Sequence, residues 1–138
     1  MTRPTTPSHA LAELGAQHAR LRDLIAHCED LADGVDAGQV EPSQLLGEVV
    51  ALRLAFDAHN QFEEQMLRPV LLDVDWLGAV RVSRMVEDHV EEHRSMRREL
   101  DRTTTAELRG VLASLLAHLA SEERYFLTTK VLRDDLVR

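Results

Sequence analysis

Four stretches of the chain repeat apolar residues at helical spacing, and each run is broken near its middle by histidine or carboxylate. Each residue of an α-helix turns about 100°, so residues three or four apart share one face. In the first stretch the stripe is Leu11, Leu14, His18, Leu21 and Ile25. In the second it is Leu45, Val49, Leu52, Phe56, His59, Glu63 and Met66. In the third it is Val82, Val86, His89, His93, Met96 and Leu100. In the fourth it is Leu108, Val111, Leu115, His118, Glu122 and then Tyr125 or Phe126. The apolar stripe of an amphipathic helix is the face that becomes buried. A fold that buries all four stripes must carry histidines and carboxylates into its interior.

Turn and cap residues place the ends of these stretches. Ser8 after Pro7 is the expected N-cap of a first helix reaching about Asp33, with Gly34 and Gly38 marking the loop. A second helix is expected from Pro42, a favourable first position, to a stop before Pro69. The third is expected over about Asp75–Arg102, with Trp76 as a packing anchor at the bundle end. The fourth opens at Thr104 with Glu107 as a capping box and runs to about Thr129. Short connections favour an all-α, up-down-up-down four-helix bundle with a short C-terminal tail. The expected organisation is a single domain over residues 1–138, its bundle spanning about 8–130.

Composition excludes several classes of partner. The net charge is −8, and nearly all the basic residues are arginine, which argues against a nucleic-acid or anionic-membrane surface. No apolar run approaches the roughly 18 residues of a membrane span, and "MTRPTTPSHALAEL" has no apolar signal-peptide core. The single cysteine, Cys28, rules out an internal disulfide and suits a reducing compartment, so a cytoplasmic location is expected. Cys28 reads as an inert residue off the stripe.

One histidine on an apolar stripe is an ordinary core residue. Five histidines and two carboxylates on the core faces of four helices are different, because each, buried without a partner, costs several kcal/mol. A metal centre satisfies them together. His9 and His27 each lie nine residues from His18, on the opposite helix face, and read as solvent histidines. Glu64, Glu91 and Glu92 read as solvated charges, and Asp23, Glu29 and Asp30 as ordinary helix-surface charge.

The two halves echo each other. His18 followed by His59-Asn-Gln-Phe-Glu63-Glu64 matches His89 followed by His118-Leu-Ala-Ser-Glu122-Glu123. They differ where His93 stands four residues after His89 but Arg22 stands four after His18. Arginine stays protonated and is a poor ligand, so the two sites are unequal. With two shared carboxylates and a shared oxygen, one metal counts six donors and the other five. Nitrogen donors with hard carboxylate oxygens suit iron, with manganese or zinc as other fits. Glu122, four residues after His118, stays near its face, whereas Glu123 swings about 140° away.

The order His, His-x-x-x-Glu, His-x-x-x-His, His-x-x-x-Glu in a four-helix chain of this length resembles the hemerythrin-like HHE cation-binding family, over about residues 8–130. The resemblance implies two iron ions bridged by carboxylates and an oxo or hydroxo group. His89, His93 and His118 would hold the saturated iron, His18 and His59 the open one, and Glu63 with a carboxylate after His118 would bridge them. It implies dioxygen, or another small ligand such as peroxide, nitric oxide or azide, as the partner. Oxygen carriers of the family are similar to a pattern with Asp five residues after the last histidine, where this chain has Glu123. Members with glutamate in that role include iron-sensing, iron–sulfur-repair and peroxide-reactive proteins. Those members tend to lack the full His-x-x-x-His pair that His89 and His93 form here, so the ligand count resembles that of an oxygen binder, and the expected function is oxygen binding, storage or sensing. The alternatives are a di-iron enzyme acting on peroxide or nitric oxide and an iron store or iron-sensing module. An oxygen binder needs a dry pocket, and Leu115, Leu21, Ile25 and Phe56 are the candidates to line it. Tyr125, the only tyrosine, reads as a core-edge residue. Ferritin-like di-iron enzymes use Glu-x-x-His, a spacing absent from this chain.

Overall fold

The computed structural model describes residues 6–72, 79–102, 107–125, 127 and 134. Four helices follow in order: α1 (Pro7–Asp36), α2 (Pro42–Leu72), α3 (Ala79–Arg102) and α4 (Leu108–Tyr125). Each packs on the next and α4 returns to α1, which makes an up-down-up-down four-helix bundle. The expected all-α architecture is the observed one.

The helix ends show why the boundaries shift from the sequence-based ones. Thr6, not Ser8, is the N-cap of α1: its hydroxyl accepts from His9 N–H at 3.2 Å, and Pro7 takes the first helical position. Ser8 is instead tied to the C-terminal tail, donating to Asp134 from its N–H at 2.8 Å and its hydroxyl at 2.6 Å. Helix α1 also runs past Gly34 to Asp36. Gly34 serves packing rather than termination, since a Cβ there would lie 2.4 Å from Val40 Cγ2. The turn itself falls at Gly38, whose φ of 72° is left-handed. Pro69 does not stop α2, which continues to Leu72. Proline lacks the N–H that would reach back one turn, but here the lost bond falls in the last turn of the helix, where little depends on it. At the end of α4, Leu127 N–H donates to Glu122 C=O at 2.8 Å and closes the helix. Asp75, Trp76, Thr104, Phe126 and Thr129, and the side chain of Val82, lie outside the described residues.

The alternation of helix direction sorts the core along its axis. Leu21, Ile25 and Ala32 of α1, Leu45, Leu52 and Phe56 of α2, Leu100 of α3, and Leu108, Leu112, Leu115 and Leu119 of α4 form one apolar cluster. Burying each large side chain of this kind contributes about 1.5–3 kcal/mol. Cys28 belongs to this cluster and is fully buried, which corrects its off-stripe reading. It lies seven residues after Leu21, only about 20° short of two full turns. Burial pushes its thiol up to about 11. Tyr125, read from the sequence as a core-edge residue, is 62% exposed instead, with the Arg124 guanidinium 5.8 Å from its ring centroid. No helix among the described residues is long and apolar enough to cross a membrane.

Candidate metal centre

Beyond the apolar cluster each helix turns a polar residue inward at the same level. These are His18 on α1, His59 and Glu63 on α2, His89 and His93 on α3, and His118 and Glu122 on α4, all buried. They form two groups of four whose candidate ligand atoms lie within 4.8 Å of one another: His89, His93, His118 and Glu122, and His18, His59, Glu63 and Glu122. Each group could hold a metal ion.

The carboxylates sit between the groups. Glu63 Oε2 lies 2.9 Å from His59 Nε2, while its Oε1 contacts His89 Nε2 and lies 3.6 Å from His93 Nε2. Glu122 Oε1 lies 2.7 Å from His118 Nε2 and 3.8 Å from His18 Nε2, and its Oε2 is 3.1 Å from His89 Nε2. Glu122 is 2% exposed, whereas the Glu123 side chain is 36% exposed and points to Arg22. One residue of helix turns about 100°, which is why Glu122 stays on the buried face of His118 and Glu123 leaves it.

The donor set fits metal ions. Among the described residues eight buried side-chain atoms lack a hydrogen-bond partner, and all but Asn60 Oδ1 belong to this cluster. They are the Nε2 atoms of His18, His59, His93 and His118, Glu63 Oε2 and both oxygens of Glu122. Several stand close to one another, as His118 Nε2 does to Glu122 Oε1, yet without hydrogen-bonding geometry. Lone pairs aimed at a shared centre rather than at each other are what metal coordination satisfies and hydrogen bonding does not.

The outer nitrogens are also occupied. His18 Nδ1 meets Glu123 Oε2 at 2.7 Å, His59 Nδ1 meets Gln17 Oε1 at 2.7 Å, His93 Nδ1 meets Glu64 Oε1 at 3.1 Å, and His118 Nδ1 meets Glu92 Oε1 at 2.8 Å. A carboxylate or amide oxygen only accepts, so each Nδ1 carries the proton and each Nε2 offers its lone pair inward. These partners form a ring. Gln17 of α1 serves α2, Glu64 of α2 serves α3, Glu92 of α3 serves α4, and Glu123 of α4 serves α1. Glu64 and Glu92 are thus not the idle solvated charges the sequence suggests, and Gln17 has a role that its place on a single helix does not signal. Glu123 has a further contact: Arg22 grips both its oxygens, at 2.6 and 2.8 Å.

Electrostatics follow from these contacts. Burial pushes Glu63 up, but its close polar contacts with Glu122, His59 and His89 outweigh it and hold its carboxyl well below the usual carboxylate range. Burial pushes His89 down, but the carboxylates of Glu122 and Glu63 close beside it lift it to about 10. Burial, joined by the charge of His89, pushes His93 down to about 3. The Arg22 hydrogen bonds hold Glu123 below its ordinary value despite partial burial.

The apolar candidates all lie in the buried core, and Phe56 stands against the centre. The Phe56 ring stands edge-on to His93 and His118, with centroids 6.0 and 6.3 Å away. Leu21 joins Glu13, Gln17, Arg20, Leu24 and His59 in lining a groove of about 470 Å³ between α1 and α2. Leu115 and Ile25 pack in the apolar cluster. His9 and His27 are exposed, as expected, and His27 pairs with Glu48 at 3.2 Å.

The model of the Hemerythrin HHE cation binding domain family matches residues 9–129. No curated protein and no solved structure shows a significant match.

Proposed function

The chain belongs to the hemerythrin HHE cation-binding family, and from that premise we propose that it is a di-iron protein that binds dioxygen reversibly at a vacant coordination position. One observation carries the reading: seven buried, unpartnered donor atoms converge from four helices. The proposed ligands are His89, His93 and His118 for one iron and His18 and His59 for the other, with Glu63 and Glu122 shared. Bound iron supplies redox chemistry and a position for an exogenous ligand.

The chain's own residues do the rest. Glu123 and Gln17 orient His18 and His59, and Glu64 and Glu92 orient His93 and His118. With three histidines on one side and two on the other, the donor count leaves the His18–His59 side short. Arg22 stands on α1 where His93 stands on α3, and its head is committed to Glu123. The groove beside His59, lined by Leu21, Leu24 and alanines together with Glu13, Gln17 and Arg20, gives a small ligand an approach to that side. Leu115, Ile25 and Phe56 keep water out from the core end. Tyr125 points outward and is not placed to deliver a proton or an electron to the cluster, which favours a binding protein over a peroxide-reducing enzyme.

The test is anaerobic reconstitution with ferrous iron, then admission of air while the visible spectrum is recorded. A charge-transfer band that appears in air and disappears under vacuum supports reversible binding. Prompt oxidation that vacuum does not reverse overturns it.

A further inference from the structure

The ring of outer partners is electrically uneven. His93 and His118 are backed by the carboxylates of Glu64 and Glu92. His59 is backed by the neutral amide of Gln17. His18 is backed by the Glu123 carboxylate, but Arg22 grips both oxygens of that carboxylate. The direct outer partners of the two-histidine side therefore sum to no net charge. We propose that Arg22 and Glu123 form a charge-balanced positioning pair that keeps the His18–His59 side receptive to small anions and to ligands that gain negative charge on binding. This inference rests on the reading that the vacant position lies on that side.

Two jobs that one residue cannot do alone are divided between the pair. Glu123 fixes the tautomer of His18 and strengthens its Nε2 as a donor. A bare carboxylate one imidazole ring away from the cluster would also repel an incoming anion. Arg22 cancels that field without touching the histidine, because its contacts are to Glu123. Both side chains are partly exposed, at 39% and 36%, so they can be exchanged without opening the core. A unit charge at that range, in half-exposed surroundings, shifts affinity by about three- to tenfold.

A charge-balanced pair and a mechanical brace make opposite predictions for single substitutions. Azide is titrated into ferric-loaded wild type, Arg22→Gln, Glu123→Gln and the double variant, with metal content measured in each. Arg22→Gln leaves an uncompensated carboxylate and is expected to weaken azide by about three- to tenfold. Glu123→Gln keeps an oxygen for His18, leaves an uncompensated guanidinium, and is expected to tighten azide by a similar factor. The double variant is expected within about twofold of wild type, because its charges cancel again. A second readout uses the zinc-loaded proteins, which have no redox chemistry. There the His18 Nδ1 proton, followed by nitrogen-15 NMR, moves downfield in Arg22→Gln and upfield in Glu123→Gln. If both single variants weaken azide, or neither changes it by twofold, the charge-balance proposal is overturned while the vacant site stands. If loaded wild type binds no azide, the vacant-site reading is overturned and this proposal with it.

Discussion

Exchanging Glu122 for glutamine is the sharpest test of whether the buried cluster is a shared metal site. Seven of its side-chain atoms are buried without a hydrogen-bond partner. Leaving such an atom unsatisfied costs about 1–3 kcal/mol. Taking the low end, because protons shared within the cluster relieve part of the strain, coordination recovers about 7 kcal/mol. Unfolding 138 residues carries an entropy near 0.3 kcal/mol/K. Metal loading is therefore expected to raise Tm by roughly 20 °C. Glu122 supplies two of the seven atoms and reaches histidines of both groups. Glu122→Gln is expected to keep no more than roughly a third of the rise, since the amide is a weak ligand and one of its ends only donates. Within the cluster Glu123→Gln touches only the outer nitrogen of His18, and it is expected to keep the rise to within roughly 5 °C. The assay is calorimetry of each protein with zinc and with chelator. A Glu122→Gln protein that keeps the full rise while Glu123→Gln loses it would refute the assignment.

Three further outcomes are expected. Metal analysis should find two ions per chain, lost together on chelation and unchanged in His9→Ala and His27→Ala; a fully loaded sample with one ion ends the dinuclear reading. Loading at pH 7 should expel a proton from His89, whose pKa in the metal-free cluster is raised to about 10. Apparent affinity should then climb with pH towards that value and flatten above it. Calorimetry in two buffers of different ionisation enthalpy counts the proton, and a count of zero contradicts the site's electrostatics. Phe56→Ala, which removes a buried ring standing against His93 and His118, should cost about 3–5 kcal/mol in denaturant unfolding of the loaded protein; a loss below about 1 kcal/mol would mean that the ring does not fill the core there.

The fold was legible because the signal that makes a helix amphipathic is local. Leu14, Leu21 and Ile25, or Leu45, Leu52 and Phe56, can be assigned to a buried face by phase alone, and the structure buries all six. Helix ends were less legible because they depend on partners elsewhere. Ser8 looks like a cap, but Asp134, 126 residues away, takes both its donors, while Thr6 caps the helix. Gly34 looks like a stop, but its lack of a side chain makes room for Val40.

The inner cluster and its outer partners differ in legibility for the same reason. His18, His59, Glu63, His89, His93, His118 and Glu122 lie on buried faces, so phase finds them. Gln17, Glu64, Glu92 and Glu123 each lie one residue from an inner residue and so about 100° off its face, where a single helix reads as a solvated flank. Their roles appear only across a helix pair. Yet the ring they form follows a rule. On α1 and α3 the outer residue precedes the inner one, as Gln17 precedes His18 and Glu92 precedes His93. On α2 and α4 it follows, as Glu64 follows Glu63 and Glu123 follows Glu122. Reversing a helix reverses the sense in which its residues wind, as seen from one end of the bundle. A step back on an up-helix and a step forward on a down-helix therefore lead to the same side. Each helix presents its acceptor to the next in one rotational sense, and the last hands back to the first. That ring ties four histidine tautomers to the up-down topology itself. Moving an acceptor to the other side of its inner residue would turn it away from the ring it supports.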